Sequence, residues 1–107
     1  NKEDWKKAIK LYNEFIEINT ADASTFIEIG VAYYETKRMR LSQQNLERAK
    51  KLKPSNALLN YYLANIYSEK KEWKRAAACL DSINDDSDLE EKIRKLRKKI
   101  SKEVKNE

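Results

Sequence analysis

Phe26-x-x-Ile29-Gly30-x-x-Tyr33, then Ser42-x-x-x-Leu46-x-x-Ala49, then Pro54: this stretch decides the fold. Apolar residues three and four apart on both sides of Lys37–Arg38 describe two amphipathic helices joined by a short turn. The pattern returns 34 residues later as Asn60-x-x-Leu63-Ala64-x-x-Tyr67, then Ala76-x-x-x-Leu80-x-x-Ile83. A fixed period of this size means a helix-turn-helix unit used more than once.

Working outward, the register extends to the start of the chain. Trp5, Met39 and Trp73 are 34 apart, as are Ala8, Ser42 and Ala76, and Tyr12, Leu46 and Leu80. Residues 3–18 therefore read as the second helix of a repeat whose first helix is absent. Their stripe is Trp5, Ala8, Ile9, Tyr12, Phe15 and Ile16. Together with Asn1 at the start in place of Met, this reads as a fragment or a processed product. A bare apolar face is expected at that end, and with it self-association through the uncovered first helix.

The remaining elements follow from local signals. Asn19–Asp22 is a polar break, and helices are expected over Ala23–Thr36, Met39–Leu52, Asn56–Glu69 and Glu72–Ile83. Pro54 ends the third helix, because proline lacks the N–H and restricts the residue before it. Ser55 is the expected N-cap of the fourth. Lys70–Lys71 makes the second turn, and Asn84–Asp88 is an acidic loop. Ser87 with Glu90 spells a capping box. A last helix follows, carrying Leu89, Ile93, Leu96, Ile100 and Val104 on one stripe. Gly30 and Ala64 stand where two helices need a small residue to cross closely. Two substitutions in the pattern, Ser42 and Asn60, predict looser packing around them.

The composition agrees with an all-α chain. One Gly and one Pro leave little to punctuate hairpins, and charged residues, mostly Lys and Glu, make up 38% of 107 positions. The net charge of +5 is unevenly placed. Lys37–Lys53 holds seven bases and one acid, Asp81–Glu91 six acids and no base, and Lys92–Lys102 seven bases and no acid. Such blocks steer partners or simply solvate a helix face. The single cysteine forbids an intrachain disulfide, no apolar run approaches a membrane span, and no targeting signal assigns a compartment.

At these repeated positions the chain resembles the tetratricopeptide repeat family. The resemblance implies a short right-handed α-solenoid: a half repeat (3–18), two repeats (23–56 and 57–88) and a capping helix (89–105). It implies a protein-binding adaptor whose first helices line a concave groove. The groove positions would be Ile27, Val31 and Tyr34, then Leu58, Tyr61, Tyr62 and Asn65, with Arg94, Lys95, Lys98 and Lys102 as a basic wall. An apolar, aromatic floor beside a basic wall suits an acidic, partly apolar partner segment. The competing reading is that Tyr34, Tyr61 and Tyr62 pack on neighbouring helices, as aromatics with polar tips do. Some relatives in that family clamp a C-terminal carboxylate with Lys and Asn four apart. Here Asn65 is in place, but Tyr61 stands where the Lys belongs.

Enzymatic chemistry is not expected. There is no histidine, Cys79 sits alone in an apolar helix, and there is no Gly-rich phosphate loop. Asp85, Asp86 and Asp88 lack the spacing and glycine of a calcium loop, so neither metal nor cofactor is expected. The rival function is polyanion (nucleic acid) binding through the basic stretches 37–53 and 92–102, opposed by Glu28, Glu35 and Glu69 near the groove. A third reading lays the basic last helix on an anionic membrane.

Overall fold

The computed structural model describes residues 1–18, 22–83 and 88–106, without the side chains of 12 and 14–18. Six α-helices and no strands occur among them: α1 (Lys2–Ile18), α2 (Ala23–Glu35), α3 (Met39–Leu52), α4 (Ala57–Glu69), α5 (Trp73–Asp81) and α6 (Glu90–Lys105). The expected helices are all present, with ends shifted by one or two residues. The expectations on Tyr12, Phe15 and Ile16, on 19–21, and on the Ser87 cap lie outside the described residues. The chain falls into two compact units, Asn1–Lys53 and Pro54–Glu107.

In the first unit α2 packs against both α1 and α3. Ile9 and the partly buried Trp5 of α1 lie against Ile29, Ala32 and Tyr33 of α2. The Asn13 amide donates to the Tyr33 hydroxyl at 3.3 Å, a further tie between those helices. Asp22 starts α2, its carboxylate accepting from the Thr25 N–H at 2.9 Å and the Thr25 hydroxyl at 3.0 Å. On the other side Leu46 and Ala49 are fully buried, with Gly30 opposite Leu46. A Cβ added at Gly30 would stand 2.5 Å from Leu46 Cγ and 3.4 Å from the Leu46 backbone nitrogen. The missing side chain is therefore the space Leu46 occupies. Ser42 does not loosen this crossing. Its buried hydroxyl donates to the Gly30 carbonyl at 2.6 Å, so the polar substitution joins the two helices.

In the second unit α4 and α5 form the corresponding pair, and α6 packs on both. Leu59, Leu63, Ala64, Ala76 and Leu80 are buried, as are Ile93, Leu96 and Ile100 of α6. The cap of α4 is Asn56 rather than Ser55: its side chain accepts from the Leu59 N–H at 3.0 Å. Asn60, read as a loosening substitution, is fully buried, and its amide donates to the carbonyls of Pro54 at 2.7 Å and Asn56 at 2.8 Å. It closes the approach to α4, and the two carbonyls satisfy a side-chain amide that burial would otherwise leave costly. Helix α5 is shorter than its apolar pattern. It ends at Asp81, where the Ser82 hydroxyl takes the Ala78 carbonyl at 3.0 Å and the Arg97 guanidinium takes the Leu80 carbonyl at 2.9 Å.

The 34-residue period extends to the backbone of the turns. After α2, the Arg38 N–H donates to the Tyr33 carbonyl at 2.8 Å and the Lys37 N–H to the Tyr34 carbonyl at 3.0 Å. After α4, the Glu72 N–H donates to the Tyr67 carbonyl at 2.8 Å and the Lys71 N–H to the Ser68 carbonyl at 3.0 Å. Both are Schellman terminations. Among the described residues Lys37 and Lys71, 34 apart, are the two with positive φ, at 63° and 62°. A left-handed Lys is unusual where glycine is the ordinary choice. Two such turns at the same register mean that the same supersecondary unit is built twice.

Candidate functional site

The expected partner-binding residues divide between the two units. In the first, Ile27 and Val31 are buried, at 6% and 9% exposure, and Tyr34 is half-buried. Their reading as solvent-facing is corrected for Ile27 and Val31: both are shielded from solvent along with the rest of that side of α2. Tyr34 keeps part of its ring accessible.

In the second unit α4 presents Leu58, exposed at 39%, and Tyr61, Tyr62 and Asn65, all half-buried. Tyr61 and Tyr62 meet edge to face, with ring centroids 5.6 Å apart. That is one of the favoured geometries for an aromatic pair. The Asn65 amide donates to the Tyr61 carbonyl at 3.1 Å, one turn back in its own helix. The clamp-like asparagine thus has a donor engaged locally. Leu58, Tyr61 and Asn65 fall on one stripe of α4 by their spacing of three and four. The buried stripe of Leu59, Leu63, Ile66 and Tyr67 faces the unit's interior.

The basic wall is fully exposed: Arg94, Lys95, Lys98 and Lys102 all lie on the outer side of α6. Glu91 neutralises its first turn. The carboxylate accepts from Arg94 at 2.7 and 2.8 Å, and Lys95 stands 3.8 Å away. The other apolar side of α6 is occupied. Ile93, Leu96 and Ile100 are buried within the unit, at 1%, 8% and 2% exposure. The reading of α6 as a helix that sinks an apolar side into a membrane surface is therefore corrected. The other basic stretch, on α3, is also exposed at Arg40, Arg48 and Lys51. Arg48 there lies over the Phe26 ring, 5.9 Å from its centroid.

Sequence reading did not anticipate the part played by two arginines in the second unit. Arg75 lies 4.3 Å over the Tyr67 ring and donates to the Tyr67 hydroxyl at 3.1 Å, while Arg97 reaches the end of α5. Both were legible only as surface charge, because their partners are 8 and 17 residues away.

Cys79 is buried, and no group of three metal-ligating side chains occurs among the described residues. No helix among them is long and apolar enough to cross a membrane. No protein-family model, no curated protein and no solved structure matches this chain.

Proposed function

We propose that this chain is a non-enzymatic helical-repeat module of the tetratricopeptide type, an adaptor that binds a segment of another protein. The observation carrying this reading is the helix–turn–helix unit built twice at a 34-residue period, with the same paired turn hydrogen bonds and the same left-handed lysine. Such units place side chains on a repeating framework and act by recognition. The contact surface assigned to the partner is the α4 stripe of exposed Leu58 and half-buried Tyr61 and Asn65, with Tyr62 beside it and basic residues of α6 in the same unit. Rigid aromatics supply contact area at small entropic cost, and the lysines select an acidic segment.

The test is selection from a displayed peptide library, with the native chain and a Tyr61→Ala/Lys95→Glu variant run in parallel. Circular dichroism checks that the variant folds. The native chain is expected to enrich acidic, partly apolar peptides that the variant loses by about tenfold or more. Enrichment by both proteins alike, or by neither, would remove α4 from the interface.

A further inference from the structure

Helix α6 is packed on one side only. Ile93, Leu96 and Ile100 take its inner face, and the remaining circumference is open to solvent. Lys95, Lys98, Lys99, Lys102 and Lys105 recur there at spacings of three and four, so they form one ridge opposite the buried stripe. The ridge runs about 15 Å, from the 1.5 Å rise per residue. All five lysines are exposed. Of the helix's described acids, Glu90 and Glu91 lie in its first turn, Glu91 3.8 Å from Lys95, and Glu103 is half-buried one turn beyond Lys99. Among the described residues, no carboxylate lies within ion-pair distance of Lys98, Lys99, Lys102 or Lys105. These four like charges stand close together, and none is ion-paired to a carboxylate among the described residues.

The chemistry of the ridge narrows its occupant. It exposes no aromatic or large apolar side chain, and protein interfaces need such anchors and are poor in lysine at their centres. Its apolar side is enclosed, so it cannot insert into a bilayer. Lysine is a flexible point charge suited to single phosphate oxygens. The open side of an α-helix about 10–12 Å across also matches the roughly 12 Å major groove of B-DNA, whose phosphate rows flank both sides.

We propose that the outer face of α6 binds the phosphate backbone of duplex DNA without regard to sequence. The ridge includes Lys95, Lys98 and Lys102 of the basic wall, but duplex binding does not use the α4 stripe and rests on Lys98, Lys99, Lys102 and Lys105.

The experiment measures fluorescence anisotropy of a labelled, mixed-sequence duplex of about 20 base pairs over a series of salt concentrations starting near about 50 mM. The native chain is compared with Lys98→Gln/Lys99→Gln/Lys102→Gln/Lys105→Gln. A second variant, Lys2→Gln/Lys6→Gln/Lys7→Gln/Lys10→Gln, removes the same charge from exposed positions of α1. Each variant lowers the net charge from +5 to +1, four lysines being neutralised. Circular dichroism and thermal melting verify both folds.

The native chain and the α1 variant are expected to bind alike, with affinity falling as about the third or fourth power of salt concentration. The α6 variant is expected to bind at least about tenfold more weakly at low salt, with most of the salt slope gone. Equal loss in both variants would reduce the effect to net charge and overturn the proposal, as would no loss in the α6 variant. Phosphatidylserine-containing vesicles and a poly-glutamate peptide complete the set. Tighter binding of the native chain to either, at matched charge concentration, would also overturn it in favour of a membrane or an acidic protein.

Discussion

Gly30 shows how one absent side chain sets a helix crossing. Alanine has the higher helix propensity by about 1 kcal/mol, so an isolated helix would gain from the change. Here the new Cβ would stand 2.5 and 2.6 Å from Leu46 Cγ and Cδ2, and the fully buried Leu46 would have to turn. Overpacking of this kind costs about 1–3 kcal/mol, which matches or exceeds the propensity gain. Gly30→Ala is expected to lose up to about 2 kcal/mol in urea denaturation once the propensity gain is subtracted. The same change in a Leu46→Ala background should be neutral or stabilising, because the clash is gone. A more stable Gly30→Ala in the native background would refute the close approach. The equivalent position in the second unit, Ala64, already carries the Cβ and is fully buried. Sequence patterning marks both positions as small, but the pairing of Gly30 with Leu46, and the Ser42 hydroxyl on the Gly30 carbonyl, arise only in the tertiary structure.

Among the elements, α6 depends on more than its apolar stripe. Arg97 is exposed along much of its length, yet its guanidinium donates to the Leu80 carbonyl at the end of α5, 17 residues away. A charge-assisted bond of this kind contributes more than a neutral one, about 1.5–3 kcal/mol when well placed, less where water competes. Arg97→Met keeps the aliphatic length and removes the donor. It is expected to cost about 1 kcal/mol and to speed hydrogen exchange at α6 amides more than at α2 or α3. Uniform acceleration across the chain would show that Arg97 does not act locally. Helix existence and spacing were legible at this scale because a period of three and four survives without any tertiary information. Helix ends were less so. The α4 cap moved from Ser55 to Asn56, and α5 lost its last turn, because each end was settled by whichever side chain reached an orphan backbone group.

For the whole molecule, the titration behaviour is set by what the chain contains. It has no histidine, so the usual group that changes charge between about pH 5 and 8 is missing. Asp22 is held below the ordinary carboxylate value, first by the Thr25 N–H, then by the Thr25 hydroxyl, with Lys53 adding attraction. A depressed carboxylate stabilises the fold above its unfolded value of 3.8, and that contribution fades as pH falls through the folded value. The melting temperature is expected to be flat from about pH 5.5 to 7.5 and to fall on the acid side. Asp22→Asn should keep the cap while making the acid decline shallower, as melting between about pH 5 and 2 would show. A transition near neutrality would mean that a group other than these controls stability.

The sequence by itself determined that the chain is helical, where the helices lie, and that a unit of 34 residues recurs. Periodicity and the positions of Pro54 and the two lysine turns carry that information locally. It also located the charge blocks and the exposed basic face of α6, because a stripe of apolar residues on a helix implies its opposite side. Only the tertiary structure decided which polar residues are buried and useful. Ser42 and Asn60 are satisfied by carbonyls from other turns of chain, and Ile27 and Val31 are shielded rather than open. Burial arises from residues distant in sequence, and even the short-range closure of Asn60 on Pro54 depends on the path the chain takes into α4, which no apolar pattern records.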